Sequence, residues 1–382
     1  MLSRSSIISV QLLNRCLRAP RIALSYTQRV WGGKPRVEER EPYIYETTWH
    51  QPRPVVVSKM NDVLSQVTSR VVMVEPTCFN FNPQTAKDNA FQRKMTGLSN
   101  EAVHRRAMYE FEELIAKLTQ AGVEVNRVKD SQQNSEDAVF PNNWISFHEE
   151  ADHRRRMVLY PMMSERRRTE RRNNVVSEWK QRLGAEVIDY TKYENEGKFL
   201  EGTGSMVLDR VNRVAYACES QRTHRDVFYR FCRDLGYSPF LFKSYSRDEF
   251  GQLCPIYHTN VMMSVGTTFA IVCLESIDGH NRDKVQTRLK EDGKAVISIT
   301  LDQVNHFAGN VLQLRSLDGD DYLVMSTQAY NSFTEEQRKT ILTHVKDIIH
   351  SSLETIETLG GGGARCMIAE VFPPNSVSYD HD

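Results

Sequence analysis

From Val71 onward, short β-type apolar runs alternate with single stretches of helical periodicity, and the order recurs down the chain. Five stretches place a polar or glycine-bearing group directly before an apolar run. Phe140-Pro141-Asn142-Asn143 leads into Trp144-Ile145-Ser146-Phe147, and Glu201-Gly202-Thr203-Gly204 into Ser205-Met206-Val207-Leu208. Tyr257-His258-Thr259-Asn260 leads into Val261-Met262-Met263-Ser264, and Phe307-Ala308-Gly309-Asn310 into Val311-Leu312-Gln313-Leu314. In the fifth, four glycines from Gly360 to Gly363 precede Cys366 and a short apolar run to Phe372. A second β-type run follows the first four, at 157–160, 214–218, 269–274 and 322–325. Helices are then predicted at about 165–183, 222–236, 281–291 and 334–353, the last because Ile341, Val345, Ile348 and Ile349 fall at helical spacing. A strand at 71–75 and a helix near 101–121, with Met108, Phe111, Leu114, Ile115 and Leu118 on one face, open the series.

A unit of about sixty residues cannot bury its own apolar face, so five units are expected to share a core around an axis. The fold class predicted is α/β: a five-bladed α/β-propeller of ββαβ units in a single domain over 70–373, with the last blade closed by the two ends of the chain. The polar groups would then converge at one end of the axis. Asn143, Glu201, His258, Asn260, Asn310 and Cys366 are expected around one pocket there, whereas a two-domain α/β sheet would scatter them.

Composition narrows the classes. Lys+Arg and Asp+Glu both number 49, so no net charge favours nucleic acid or an acidic membrane, and 40% hydrophobic residues suffice for a sizeable core. The seven cysteines are scattered without a CxxC pair, which argues against a disulfide framework or structural zinc and for a reducing compartment. No apolar run reaches the roughly 20 residues of a membrane span. Eight arginines between Arg154 and Arg172 read as a solvated helix and its approach rather than a nucleic-acid surface, because Glu165 and Glu170 interrupt them and no aromatic platform accompanies them.

The first 37 residues differ. They carry six Arg and one Lys, several Ser and no acid before Glu38, with Arg4, Arg15, Arg18 and Arg21 interleaved among Leu and Ile. That is the pattern of a mitochondrial transit peptide, so the matrix is the expected location, with the cytoplasm as the alternative. Residues 38–69, with Pro42, Pro52 and Pro54, read as an extended connector, and 374–382 as a C-terminal tail.

Cysteine, histidine and carboxylate together can supply a nucleophile, a proton shuttle and an orienter. Only the thiolate attacks, so a neighbouring His or positive field is needed to ionise it near neutral pH. The order Phe-Pro-Asn-Asn, Leu200-Glu201-Gly202-Thr203-Gly204, His258-Thr259-Asn260 and the glycine run to Cys366 resembles the guanidino-group-modifying superfamily of arginine deiminases, dimethylargininases and amidinotransferases. Among its members it is most similar to the citrulline-utilisation hydrolases. The resemblance, over about 70–373, implies the five-bladed fold, Cys366 as nucleophile, His258 as acid/base and Glu201 as its partner. It also implies that Arg222, in Glu219-Ser220-Gln221-Arg222-Thr223, binds the substrate carboxylate. Asp137 is a candidate for the α-ammonium, and Asn310 is expected to line the pocket or cap its strand turn.

Arginine deiminases carry acids where this chain has Asn143, Gly204 and Asn260. An amide both donates and accepts, which suits a neutral ureido group, whereas a guanidinium buried against amides would lack its counter-charge. The expectation is a hydrolase without metal or cofactor that converts citrulline to ornithine, ammonia and carbon dioxide. Its partner is a small amino-acid substrate, with no nucleic acid and no membrane. The rivals are a guanidine hydrolase or amidinotransferase, and, in another class, a catalytically inactive amino-acid-binding pseudoenzyme. The segment 76–91 is a candidate lid.

Overall fold

The structure, a computed structural model, describes residues 64–129, 135–150, 153–247 and 251–372. The proposed presequence, most of the connector and the tail at 374–382 lie outside the described residues. The strands are β1 (Arg70–Val74), β2 (Glu124–Val128), β3 (Ile145–Glu149), β4 (Arg155–Leu159), β5 (Glu186–Asp189), β6 (Met206–Asp209), β7 (Val214–Cys218) and β8 (Ser238–Phe242). A small hairpin, β9 (Tyr245–Arg247) and β10 (Leu253–Pro255), precedes β11 (Met263–Val265), β12 (Phe269–Val272) and β13 (Ala295–Ser298). The series closes with β14 (Leu312–Arg315), β15 (Asp321–Ser326), β16 (Asp347–Ser351) and β17 (Ala369–Glu370).

Apart from the hairpin these form five three-stranded sheets, and all five are wired alike. The central strand runs antiparallel to the strand before it and parallel to the one that follows its helix. In the sheet β17-β1-β2 the antiparallel partner comes from the far end of the chain, with Val72 opposite Ala369. The parallel step requires a crossover, and a helix supplies it each time: Asn100–Gln120, Asn173–Leu183, Arg225–Leu235, Gly279–Glu291 and Glu335–Ile341. Each short sheet buries one face under its helix. The first helix, for instance, puts Phe111, Leu114 and Leu118 into one core with Val71 and Met73 of β1.

Three sequence expectations need correction. The helix predicted at 334–353 ends at Ile341, and Ile348 and Ile349 belong to β16, paired with Leu323 and Val324. The isoleucine spacing fits a helix, but the sheet needs its third strand there, and adjacent β-branched residues suit a strand. The helix at 165–183 is two pieces, Glu165–Arg168 and Asn173–Leu183. Finally, the end of the connector is not a free linker. Gln66 is buried and donates to Leu208 O at 2.9 Å and Val265 O at 3.0 Å, while Thr68 Oγ1 donates to Val371 O at 2.6 Å. The packed body therefore begins before Arg70.

Neighbouring sheets are also tied by charge. Lys294, before β13, meets Asp209 at the end of β6 at 3.1 Å, with both side chains almost fully buried. Its Nζ also donates to Gly266 O and Thr267 O. Removing one member of a buried pair strands the other's charge, so Lys294→Ala should lower stability by about 3–5 kcal/mol. Denaturant melts check this, and a loss under about 1 kcal/mol would show the pair to be dispensable.

Candidate active site

Most of the polar groups singled out in the sequence lie on one-turn helices that feed the first strand of a sheet. These are Pro141–Asn143 before β3, Gly202–Ser205 before β6, Thr259–Val261 before β11 and Ala364–Met367 before β17. A turn there lets a side chain face inward at the sheet's end while the next residue enters the core. Glu201, His258, Asn143, Asn260, Asn310 and Cys366 are all buried; hydrogen bonds link Glu201 with His258, and Cys366 with Asn260 and Asn310.

The first group centres on Glu201. Its Oε2 accepts from His258 Nε2 at 2.9 Å and lies 3.5 Å from Arg222 Nη1, while Oε1 accepts the Met163 N–H at 3.0 Å. Burial pushes this carboxyl up, but the Arg222 charge and the hydrogen bond from His258 outweigh it and hold the group ionised. An ionised carboxylate only accepts, so the neutral imidazole carries its proton on Nε2 and turns the Nδ1 lone pair away from Glu201. Burial lowers the His258 pKa despite that partner, which keeps the ring neutral. Gly204 is required here. A Cβ on it would stand 2.7 Å from His258 Nδ1 and 2.4 Å from Asn143 Nδ2.

The second group centres on Cys366. Its Sγ accepts from Asn310 Nδ2 at 3.2 Å and Asn260 Nδ2 at 3.3 Å. Burial pushes the thiol up more than these donors pull it down, so the resting group is a thiol. The glycine run behaves as the sequence suggests. Gly361 sits at φ +66 after the helix Glu354–Gly360, and a Cβ there would meet Asn89 Nδ2 at 2.5 Å. Asn310 does not line the cavity. Its Oδ1 accepts the Gly363 N–H at 3.1 Å and its amide nitrogen goes to the sulfur and to Asn260 O, so it holds the thiol's turn.

Cys366 and His258 share a cavity with Asn143, Asp137, Arg222, Tyr257, Arg167, Thr85 and Asn89. Its volume is about 20 Å³, room for about one water and far less than an amino acid. The segment proposed as a lid closes it. Asn82 Nδ2 and Thr85 Oγ1 donate to Asp137 Oδ2, Asn89 Nδ2 donates to Gly360 O and Gly361 O, and Phe91 packs against Tyr257 and Phe307. Asp88 of the same segment takes Arg222. The guanidinium donates from Nε to Oδ2 at 2.8 Å and from Nη2 to Oδ1 and to Thr85 O. This segment therefore engages the Nε and Nη2 edge of Arg222, while Nη1 is turned toward Glu201 at 3.5 Å.

The arginine run is not the solvated helix that the sequence suggested. Arg167 is buried and on the cavity wall, donating to Asn143 Oδ1 at 2.8 Å, to Glu170 and to Phe140 O. Burial pushes Glu170 up to about 7 against that guanidinium. Its place three residues from Glu170 was the only signal, and the surrounding arginines masked it. Tyr257 and Asp88 were also missed. Arg167 cannot accept, so Asn143 Oδ1 must face it, leaving Asn143 Nδ2 buried without a partner. Asp137 Oδ1 and Asn260 Oδ1 are likewise unpartnered. Among the described residues no group of three or more His, Cys, Asp or Glu is arranged to hold a metal ion.

The family model for eukaryotic N,N dimethylarginine dimethylhydrolase matches residues 75–373. No curated protein matches the sequence. Among solved structures, the substrate-bound N-terminal domain of ArgZ, a cyanobacterial arginine dihydrolase, has a TM-score of 0.59 at 17% identity, covering 79% of this chain and 97% of that one. Whole ArgZ has a TM-score of 0.61 at 17% identity, but the chain spans only 40% of its length. Dimethylarginine dimethylaminohydrolase held as an adduct with S-methyl-L-thiocitrulline has a TM-score of 0.51 at 13% identity, covering 79% and 99%. At these identities the structures show a shared fold, a mixed α/β arrangement of small sheets.

Two outcomes follow from the geometry. Gly204→Ala should displace the His258 ring and cut any turnover by about 100-fold, the effect of an ångström-scale misplacement, without unfolding the chain. Wild-type kinetics in that variant would show that the ring does not need its position. The second concerns Glu357, buried behind the glycine turn with Oε1 3.2 Å from where a Gly363 Cβ would stand. Burial pushes it up to about 8. It is protonated in the fold and ionised in the unfolded chain above its ordinary value, so stability falls as pH rises between those two values. Glu357→Gln removes that slope, and its melting temperature should gain on wild type between about pH 5 and about pH 9. Parallel curves would contradict this.

Proposed function

The chain belongs to the eukaryotic N,N dimethylarginine dimethylhydrolase family, and from that premise we propose that it hydrolyses the carbon–nitrogen bond of a ureido amino acid, most plainly citrulline. The observation that carries this reading is the thiol's surroundings. Both hydrogen-bond neighbours of Cys366 Sγ are amides, and Asn143 presents an unpartnered Nδ2 to the cavity. A ureido oxygen accepts from such a donor and a ureido N–H donates to any neutral acceptor, with no counter-charge required. Glu201 already has its charge shared among His258, Arg222 and the Met163 N–H, so it is not a free counter-charge for a guanidinium.

In the proposed reaction His258 Nδ1 takes the thiol proton, and the thiolate adds to the ureido carbon. His258 returns the proton to the terminal nitrogen, ammonia leaves, and an N-alkyl thiocarbamate remains on Cys366. A water then gives a proton to His258 and attacks the same carbon. The C–S bond breaks, the thiol recovers its proton, and the carbamate formed loses carbon dioxide to give the amine. At the other end, Arg222 holds the α-carboxylate once Asp88 withdraws, and Asp137 Oδ1 takes the α-ammonium. The identical wiring of the five sheets supports a five-bladed α/β-propeller around this site. The arginine-rich first 37 residues support import into mitochondria.

A guanidine substrate is the second reading. It draws on the family's name and on Asp137 Oδ1, a cavity carboxylate oxygen still free to pair with a cation. The test is product release from citrulline, arginine and dimethylarginine, with wild type beside Cys366→Ala. Ammonia from citrulline alone, abolished in the variant, is the expected result. Ammonia from arginine, or dimethylamine from dimethylarginine, would move the substrate class to guanidines. Silence on all three with retained ligand binding would leave a binding protein.

A further inference from the structure

Tyr257 touches three functional groups at once. Its hydroxyl donates to Gly361 O at 2.8 Å, across 104 positions of sequence. Its ring centroid lies 4.6 Å from that of His258 and 4.9 Å from the guanidinium carbon of Arg222. The side chain is buried, and Ser220 Oγ fixes its backbone by donating to Tyr257 O at 2.7 Å.

Each contact fills a need that nothing else meets well. The helix Glu354–Gly360 ends at Gly361, whose carbonyl falls among those a helix cannot satisfy internally. Its other side-chain donor, Asn89, is at a long 3.4 Å and belongs to the segment that must shift to admit substrate. When that segment moves, the tyrosine hydroxyl is the remaining side-chain tie on this carbonyl. The glycine turn in turn places Cys366, whose N–H donates to Gly363 O at 3.1 Å. Arg222 gives its Nε and Nη2 hydrogens to Asp88 and Thr85 and turns Nη1 toward Glu201 at 3.5 Å, so its edge is largely taken while its flat face is open to a ring. An aromatic ring holds such a face without competing for donors.

We propose that Tyr257 is a positioning residue with two separable duties: its hydroxyl holds the glycine turn that places Cys366, and its ring holds Arg222 in the plane that receives a carboxylate. The proposal rests on the roles given above to Cys366 and Arg222. Because the two duties use different atoms, two substitutions divide them.

Tyr257→Phe removes only the hydroxyl. With citrulline it should lower kcat by about tenfold or more, as losing the partner of a buried carbonyl does, and leave KM within about threefold. It should also change the rate at which iodoacetamide alkylates Cys366 by at least about threefold. Tyr257→Leu removes the ring as well and should add a rise in KM of about tenfold. Melting curves and titration of reactive Cys366 confirm that each variant is folded. A Tyr257→Phe enzyme with wild-type kcat and wild-type alkylation would overturn the proposal, as would equal losses of kcat and KM effects in both variants. If wild type turns over no substrate, the functional reading fails by itself. The alkylation rates would then still decide whether the hydroxyl positions the thiol.

Discussion

A single buried carboxylate organises this molecule's functional end. Glu201 is fully buried, yet it stays ionised because His258, Arg222 and the Met163 N–H share its two oxygens. These partners come from different sheets and from the approach to the arginine-rich helix. Burying an anion is costly unless every partner is in place, so the charge locks all of them in one arrangement. The arrangement fixes the His258 tautomer, and with it the direction of the only neutral base on the cavity wall. Arg222 then links this dyad to Asp88, and with Asp137 it stands on the cavity wall.

The thiol is handled differently. Its sulfur accepts from two amides, and burial keeps it protonated at rest against the pull of those donors and of the Arg365 and Arg167 charges. The site thus stores its acid and base as a neutral pair and develops charge only when a ligand excludes water and completes the hydrogen bonds. The unpartnered Asn143 Nδ2 and Asp137 Oδ1, on residues of the cavity wall, mark where those bonds are missing. The cavity of about 20 Å³ has room for about one water, and the segment around Thr85–Asn89 packs over it.

Much of this was legible in the sequence because the repeat forces it. A sheet whose first strand starts at the inner end needs a tight turn there, and the turn's polar residue must face either the cavity or another turn. That is why Asn143, Glu201, His258 and Cys366 could be placed together before any contact was known. The failures have equally local causes. Ile348 and Ile349 continue a helical stripe only by coincidence of spacing, and the sheet claims them. Arg167 is one of eight arginines, and composition alone gives no reason to bury it. Arg222 was read as waiting for a substrate, but pairing depends on which loop folds over it, and Asp88 lies 134 positions away. The amides around Cys366 were legible as residues but not as roles. Asn260 and Asn310 serve the sulfur, whereas only Asn143 faces the cavity.

The central claim is that Cys366 attacks a neutral ureido carbon. Its most direct test is mass spectrometry of the Cys366 peptide after acid quenching of the wild-type protein during exposure to citrulline. The account predicts a peptide heavier by the mass of citrulline less ammonia, absent when His258 is replaced by Ala. An unmodified Cys366 during measurable turnover, or an adduct on another residue, would contradict it.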